Sequence, residues 1–270
     1  SAEPLAVVAS SATAPDAPRV DIGPKITDSF LGKMADSNWK MRAEALEELG
    51  TILKAANNSI APTVGDLPKS LSARFADSNR MLAVTALNLA GEMACAMGPP
   101  IEKVGRATLL DIVKYFGDSK KNVREAAIKA CTRWAEAMGF GKVIAFLAEK
   151  FQELTAKINA EGKKEALDWC AELYNKEENG ADDSICTGVL HFAAVGLSDK
   201  STESRKASAV LMQAVMTNID SAKILSLTSS LKTDLKSAIE SYLNKGKATA
   251  SFKTAGTAVM AANAMKTATT

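Results

Sequence analysis

Asp36-Ser37-Asn38-Trp39-Lys40 returns along the chain as Asp77-Ser78-Asn79-Arg80, then as Asp118-Ser119-Lys120-Lys121-Asn122, then as Asp199-Lys200-Ser201. The copies start 41, 41 and 81 residues apart, the last step spanning two periods. A period of about 40 residues belongs to stacked helical hairpins, each of which buries its apolar face only against its neighbours.

The residues after each Asp give the repeat a physical basis. Nine, ten, thirteen, sixteen and seventeen residues past Asp36 lie Ala45, Leu46, Leu49, Ile52 and Leu53. The same offsets give Ala86, Leu87, Ala90, Met93 and Ala94, then Ala127, Ile128, Cys131, Trp134 and Ala135, then Ser208, Ala209, Met212, Val215 and Met216. They fall on one stripe of an α-helix. A fifth copy, counted from Lys157 where the Asp is missing, gives Ala166, Leu167, Cys170, Leu173 and Tyr174. Each Asp is therefore expected in the turn before a buried helix, with Ser or Asn capping that helix.

The 270 residues are 47% hydrophobic, 24% charged and only 5% aromatic, an ordinary globular balance that, with abundant Ala and few alternating β-branched runs, favours helices. The expected fold is all-α, a HEAT-repeat solenoid of about six hairpins. These occupy about 24–60, 61–98, 101–138, 140–178, 181–217 and 219–245. Phe30 and Met34 lead the first stripe, Leu67, Leu71 and Phe75 the second, and Leu225, Leu231, Leu235, Ile239, Tyr242 and Leu243 the last. Residues 1–23 and 246–270 read as a flexible Ala/Ser/Pro linker and a basic Ala/Thr-rich tail.

Catalytic chemistry has little to stand on. His191 is the sole histidine and lies in an apolar helical context; there is no nucleophile elbow, phosphate loop or metal-ligand spacing. Cys95, Cys131, Cys170 and Cys186 lack Cys-x-x-Cys spacing, and the middle two sit on the buried stripe, which fits a reducing, intracellular compartment. The expectation is a non-enzyme without cofactor or metal. No apolar run approaches the roughly 20 residues that span a bilayer, and a net charge of +2 is too small to imply nucleic acid.

Charge distribution says more. The turn segments 36–42, 77–80, 118–124, 159–164 and 199–206 carry +1, 0, +2, +1 and +1, so the turns are basic while the rest of the chain is acidic. In a solenoid such turns share an edge. Trp39, a large aromatic in a polar turn, either folds back over its hairpin or anchors an interface; Trp134 and Trp169 read as core. Arg42, Arg124 and Arg205 recur six residues after their Asp, a spacing suited to bridging the previous repeat's Asp. Lys40, Arg80, Lys120, Lys121 and Lys200 lie nearer the turn tips and are expected to be free for a partner.

At these residues the chain resembles a TOG domain, the tubulin-binding module of the microtubule-polymerase family (the ch-TOG and mini-spindles group). The likeness rests on Asp36-Ser37-Asn38-Trp39-Lys40-Met41-Arg42, Ala76-Asp77-Ser78-Asn79, Ala96-Met97-Gly98-Pro99, Gly117-Asp118-Ser119-Lys120-Lys121-Asn122-Val123-Arg124 and Trp134-Ala135-Glu136, and extends over about residues 22–245. It is greatest with the later TOG domains of an array. The resemblance implies a flat paddle whose intra-hairpin turns bind αβ-tubulin or the microtubule lattice. Trp39 would insert against β-tubulin, aided by Lys40 and Arg80 with Lys120 and Lys121 alongside, Lys163, Lys164, Lys200, Arg205 and Lys206 would face α-tubulin, and Arg42, Asn79 and Arg124 complete the tubulin-binding set. It also implies a cytoplasmic, cytoskeletal place at microtubule ends, spindle poles and centrosomes. Ala83, where neighbouring copies have Arg, and a fourth turn lacking its Asp and containing Gly162 depart from the family's tight binders. The competing expectation is a HEAT-type adaptor docking a spindle-pole or other non-tubulin partner.

Overall fold

The computed structural model describes residues 18–177 and 182–245; the expected linker before residue 18, residues 178–181 and the tail from 246 lie outside them. Six helical hairpins follow one another: α1 (Asp28–Met34) with α2 (Trp39–Ala55), α3 (Leu67–Ala73) with α4 (Arg80–Met97), α5 (Ile101–Val113) with α6 (Lys121–Met138), α7 (Phe140–Thr155) with α8 (Ala160–Asn175), α9 (Asp183–Leu197) with α10 (Thr202–Met216), and α11 (Ser221–Leu227) with α12 (233–245). First helices pack on first helices, α1 on α3 on α5 and α7 on α9 on α11. Second helices pack on second helices, α2 on α4 on α6 and α8 on α10. This two-layer stack is the expected solenoid.

The period-derived stripe forms the shared core. Of its first two copies every residue is buried, as are Cys131, Trp134, Leu167 and Cys170. Two expectations fail at the far end, where Met216, the last residue of α10, and Leu225 on α11 are exposed among the described residues. At the other end, residues 18–23, expected as linker, are docked instead. The Val20 N–H donates to the Ser59 carbonyl at 3.0 Å, the Ala61 N–H donates to the Val20 carbonyl at 2.9 Å, and Arg19 Nη1 donates to the Ala96 carbonyl at 3.1 Å, with Ile22 in the core. The two core tryptophans span hairpins. The Trp134 indole donates to the Ala90 carbonyl at 3.3 Å, and that of Trp169 donates to the Thr132 hydroxyl at 3.1 Å while meeting Phe116 and Phe140 edge-on.

The repeated Asp performs one local task four times. Its carboxylate accepts the N–H two residues on: Asn38 for Asp36 (2.7 Å), Asn79 for Asp77 (2.9 Å), Lys120 for Asp118 (2.9 Å) and Ser201 for Asp199 (2.8 Å). This side-chain turn fixes the corner before the helix. The residue two past the Asp is then the helix cap: the side chains of Asn38, Asn79 and Ser201 accept N–H groups of the first turn, whereas Lys120 offers none. Ser37, Ser78 and Ser119, one position earlier, are not the caps.

The same carboxylates tie one hairpin to the next. Arg42 Nε and Nη2 donate to Asp77 at 2.6 and 2.8 Å, and its Nη1 donates to the carbonyls of Asp36 and Ser37. The bridge runs to the following hairpin, not the preceding one as expected. Asp77 sits folded into its own turn and turns its remaining lone pairs back along the stack. In the second hairpin the corresponding position holds Ala83, wholly buried, and Arg80 supplies the guanidinium from three residues earlier, pairing with Asp118. Lys163 pairs with Asp199 at 2.7 Å.

Between the third and fourth hairpins the ladder changes character. Lys157 replaces the Asp, so Arg124 donates only to the carbonyls of its own turn, Asp118 and Ser119. The junction is held by backbone instead. The 3-10 turn Lys114–Gly117 packs on α8, and Asn159 donates to the Gly117 carbonyl at 2.8 Å. A Cβ on Gly162 would lie 2.8 Å from the Gly117 nitrogen, and one on Gly117 would overlap the Asn159 Oδ1. Gly162 is thus a packing requirement of this junction.

Gly162→Ala is expected to lower stability by about 1–3 kcal/mol in denaturant unfolding, although Ala is the better helix former. Gly32→Ala in α1, with open space around it, should be neutral or stabilising by up to about 1 kcal/mol. Asp77→Ala, which strands the buried Arg42, should cost about 3–5 kcal/mol. The Arg42 guanidinium, working against burial, holds the Asp77 carboxyl below its ordinary range. A depressed native pKa contributes stability above the unfolded value of about 4, lost as pH falls through the native one. Asp77→Asn should therefore show a shallower acid-induced loss of stability than the parent.

Candidate functional site

Turns that share hydrogen bonds across hairpins must be neighbours. The contacts Arg42–Asp77, Arg80–Asp118, Asn159–Gly117 and Lys163–Asp199 link five intra-hairpin turns in order along one edge. The face this edge presents to solvent differs from the one the sequence alone suggests.

Trp39, the first residue of α2, stands out from it with half its surface exposed (50%). Asn38 caps the helix beneath it and the Arg42 guanidinium clamps the preceding carbonyls, so its backbone is fixed while half of its surface meets solvent. Lys40, Lys120 and Lys200 are exposed, and among the described residues they enter no ion pair. Lys121 and Lys206 are exposed with only loose surface partners, Glu125 at 3.5 Å and Glu203 at 3.1 Å. Arg205 is exposed and braces its turn by donating to the carbonyls of Asp199 and Lys200.

The other basic residues on the candidate edge are engaged inward. Arg42 is buried (7% exposed) under the first turn. Arg80, expected to be free, is held by Asp118 and by the Phe75 and Asp77 carbonyls. Lys163 is committed to Asp199, and Lys164 to Asp168 at 2.7 Å, a bond that raises its pKa. Asn79 spends its side chain capping α4. Arg124 keeps a partly exposed guanidinium without a carboxylate. One exposed residue of this edge was missed by sequence reasoning: Met81, in the first turn of α4. Its signal was a large apolar residue lying off the buried stripe.

The arrangement suits binding through a half-exposed indole and a row of ammonium groups. Burial pushes the thiols of Cys131 and Cys170 far up, away from thiolate. His191 is half-buried on α9 with its pKa lowered by burial, and no catalytic-type side chain among the described residues hydrogen-bonds it. No described group of His, Cys, Asp and Glu could hold a metal, and no described helix is long and apolar enough to cross a membrane.

No family model matches the chain. Protein MOR1 of Oryza sativa subsp. japonica is 34% identical over 209 residues, 77% of this chain and 10% of that protein. Protein mini spindles of Drosophila melanogaster is 37% identical over 123 residues, 46% of this chain and 6% of that protein. The chain thus spans about a tenth or less of these relatives. Among solved structures, a microtubule polymerase with an array of tumor overexpressed gene (TOG) domains, described for tubulin recruitment and assembly, superposes with a TM-score of 0.60 at 17% identity, over 85% of this chain and 48% of that one. Repeat period, turn ladder and these relatives converge: the chain is a TOG domain of the microtubule-polymerase family to which MOR1 and mini spindles belong.

Proposed function

We propose that this domain binds the αβ-tubulin dimer along the turn edge and serves, within a longer microtubule polymerase, to deliver or hold tubulin where microtubules grow. The observation that carries the reading is the joint exposure of Trp39 and the unpaired Lys40, Lys120 and Lys200 on a single edge. Tubulin is acidic, so an ammonium row steers and orients the encounter, while the indole supplies desolvated contact area. Trp39, Lys40, Lys120, Lys121 and Arg124 would engage one subunit, and Lys200, Arg205 and Lys206 the other. Arg42, Arg80, Asn79 and Lys163 act from beneath by holding the turns, and Lys164 is tied to Asp168. Microtubule ends, spindle poles and centrosomes are the places such a module would work. It needs no cofactor and performs no covalent chemistry. The adaptor reading gives way because the exposed anchor and the cations share the edge that the family uses.

Trp39→Ala and Lys120→Glu should each weaken binding to purified tubulin about tenfold in titrations at low salt. The Lys120→Glu loss should shrink as salt screens the pairing. Wild-type binding by both variants would remove this edge from the interface. A partner kept by Trp39→Ala but lost on substituting the opposite, inter-hairpin edge would return the adaptor reading.

A further inference from the structure

The second turn is unlike its neighbours. Its position six residues past the Asp is the buried Ala83, and its cation, Arg80, is spent on Asp118. It therefore offers no free charge. In its place stands Met81, whose 62% exposure is the highest of any large hydrophobic side chain among the described residues. The next two residues, Leu82 and Ala83, are buried, and the Met81 N–H is held by the Asn79 cap at 3.1 Å. The backbone at Met81 is thus fixed while the thioether projects outward. The amide of Asn122, in the third turn, comes within 3.9 Å of the sulfur. Met81 is consequently flanked by the turn that carries Trp39 on one side and the turn that carries Lys120 and Lys121 on the other.

A single exposed apolar side chain is ordinary. Here two occur on adjacent, hydrogen-bonded hairpins of one edge, among lysines, and the position four past the Asp that Met81 fills is polar or charged in the other copies (Lys40, Asn122, Glu203). Methionine's unbranched, polarizable side chain fits irregular surfaces, and Met and aromatic residues are enriched at interface cores. We propose that Met81 is a second apolar anchor of the tubulin-facing edge, packing beside Trp39 on a nonpolar patch of the acidic partner. The second turn then selects for shape and nonpolar area, and the first and third supply the charge. This rests on the proposed tubulin-binding reading.

The test is a titration of purified αβ-tubulin with the whole domain at low and high salt, comparing Met81→Ala, Met81→Lys, Trp39→Ala and Lys120→Ala. Circular dichroism confirms that each is folded, as an exposed site permits. Met81→Ala should weaken binding about fivefold, as expected for losing most of a buried thioether, by the same factor at both salts. Lys120→Ala should lose its effect at high salt. Met81→Lys should also bind more weakly, because an ammonium is stranded on a nonpolar patch. Met81→Ala binding as wild type while Trp39→Ala is impaired would overturn the inference and leave the functional reading intact. Met81→Lys binding more tightly would overturn it too, placing an acidic patch opposite the second turn. Unchanged binding by Met81→Ala, Trp39→Ala and Lys120→Ala alike would remove the edge, and unchanged binding by Met81→Ala and Trp39→Ala with loss only in Lys120→Ala would overturn the inference alone.

Discussion

The buried pair of Arg42 and Asp77 is the contact on which the edge depends. Asp77 accepts from the Asn79 N–H of its own turn and from two nitrogens of Arg42 in the previous hairpin, while Arg42 also holds the carbonyls of Asp36 and Ser37. Two corners from separate hairpins are thereby fixed by a single hydrogen-bonded unit. Desolvating such a pair gains little net stability, yet breaking it is costly. A hairpin sliding along its neighbour would lose the bidentate geometry, so the pair sets register as well as holding the stack.

The ladder also sorts the basic residues. Cations with a carboxylate in reach on the next hairpin turn inward, as Arg42, Arg80 and Lys163 do. Those nearest the tips, Lys40, Lys120 and Lys200, have no such partner and face water. The third-to-fourth junction obeys the same logic in reverse. With Lys157 in place of the Asp, no ion pair forms with Arg124, and the close approach of Gly117 and Gly162 replaces it. The departures at Ala83 and Gly162 are thus structural solutions for stacking.

Much of this was legible in the sequence. A 41-residue spacing with an apolar stripe at fixed offsets locates α2, α4, α6, α8 and α10, because each must bury the same helical face against its neighbours. The two ends were less legible. Val20 docks through backbone hydrogen bonds and Ile22 through burial in the core, neither announced by any periodicity, and Leu225 and Met216 are exposed although the apolar pattern places them on buried stripes. On the candidate edge, position near the turn tips foretold the exposure of Lys40, Lys120 and Lys200, while for Trp39 residue type left two readings open. It could not distinguish Arg80 from Met81, adjacent residues of one helical turn whose opposite orientations depend on Asp118, 38 residues further along the chain than Arg80.

Hydrogen exchange of the domain with and without saturating tubulin reads the whole edge at once. The account predicts slowed exchange at residues 36–41, 78–82, 119–122 and 200–205, with the opposite edge at 61–63 and 99–103 unchanged. Protection confined to that opposite edge, with the turns exchanging as in the free domain, would contradict it.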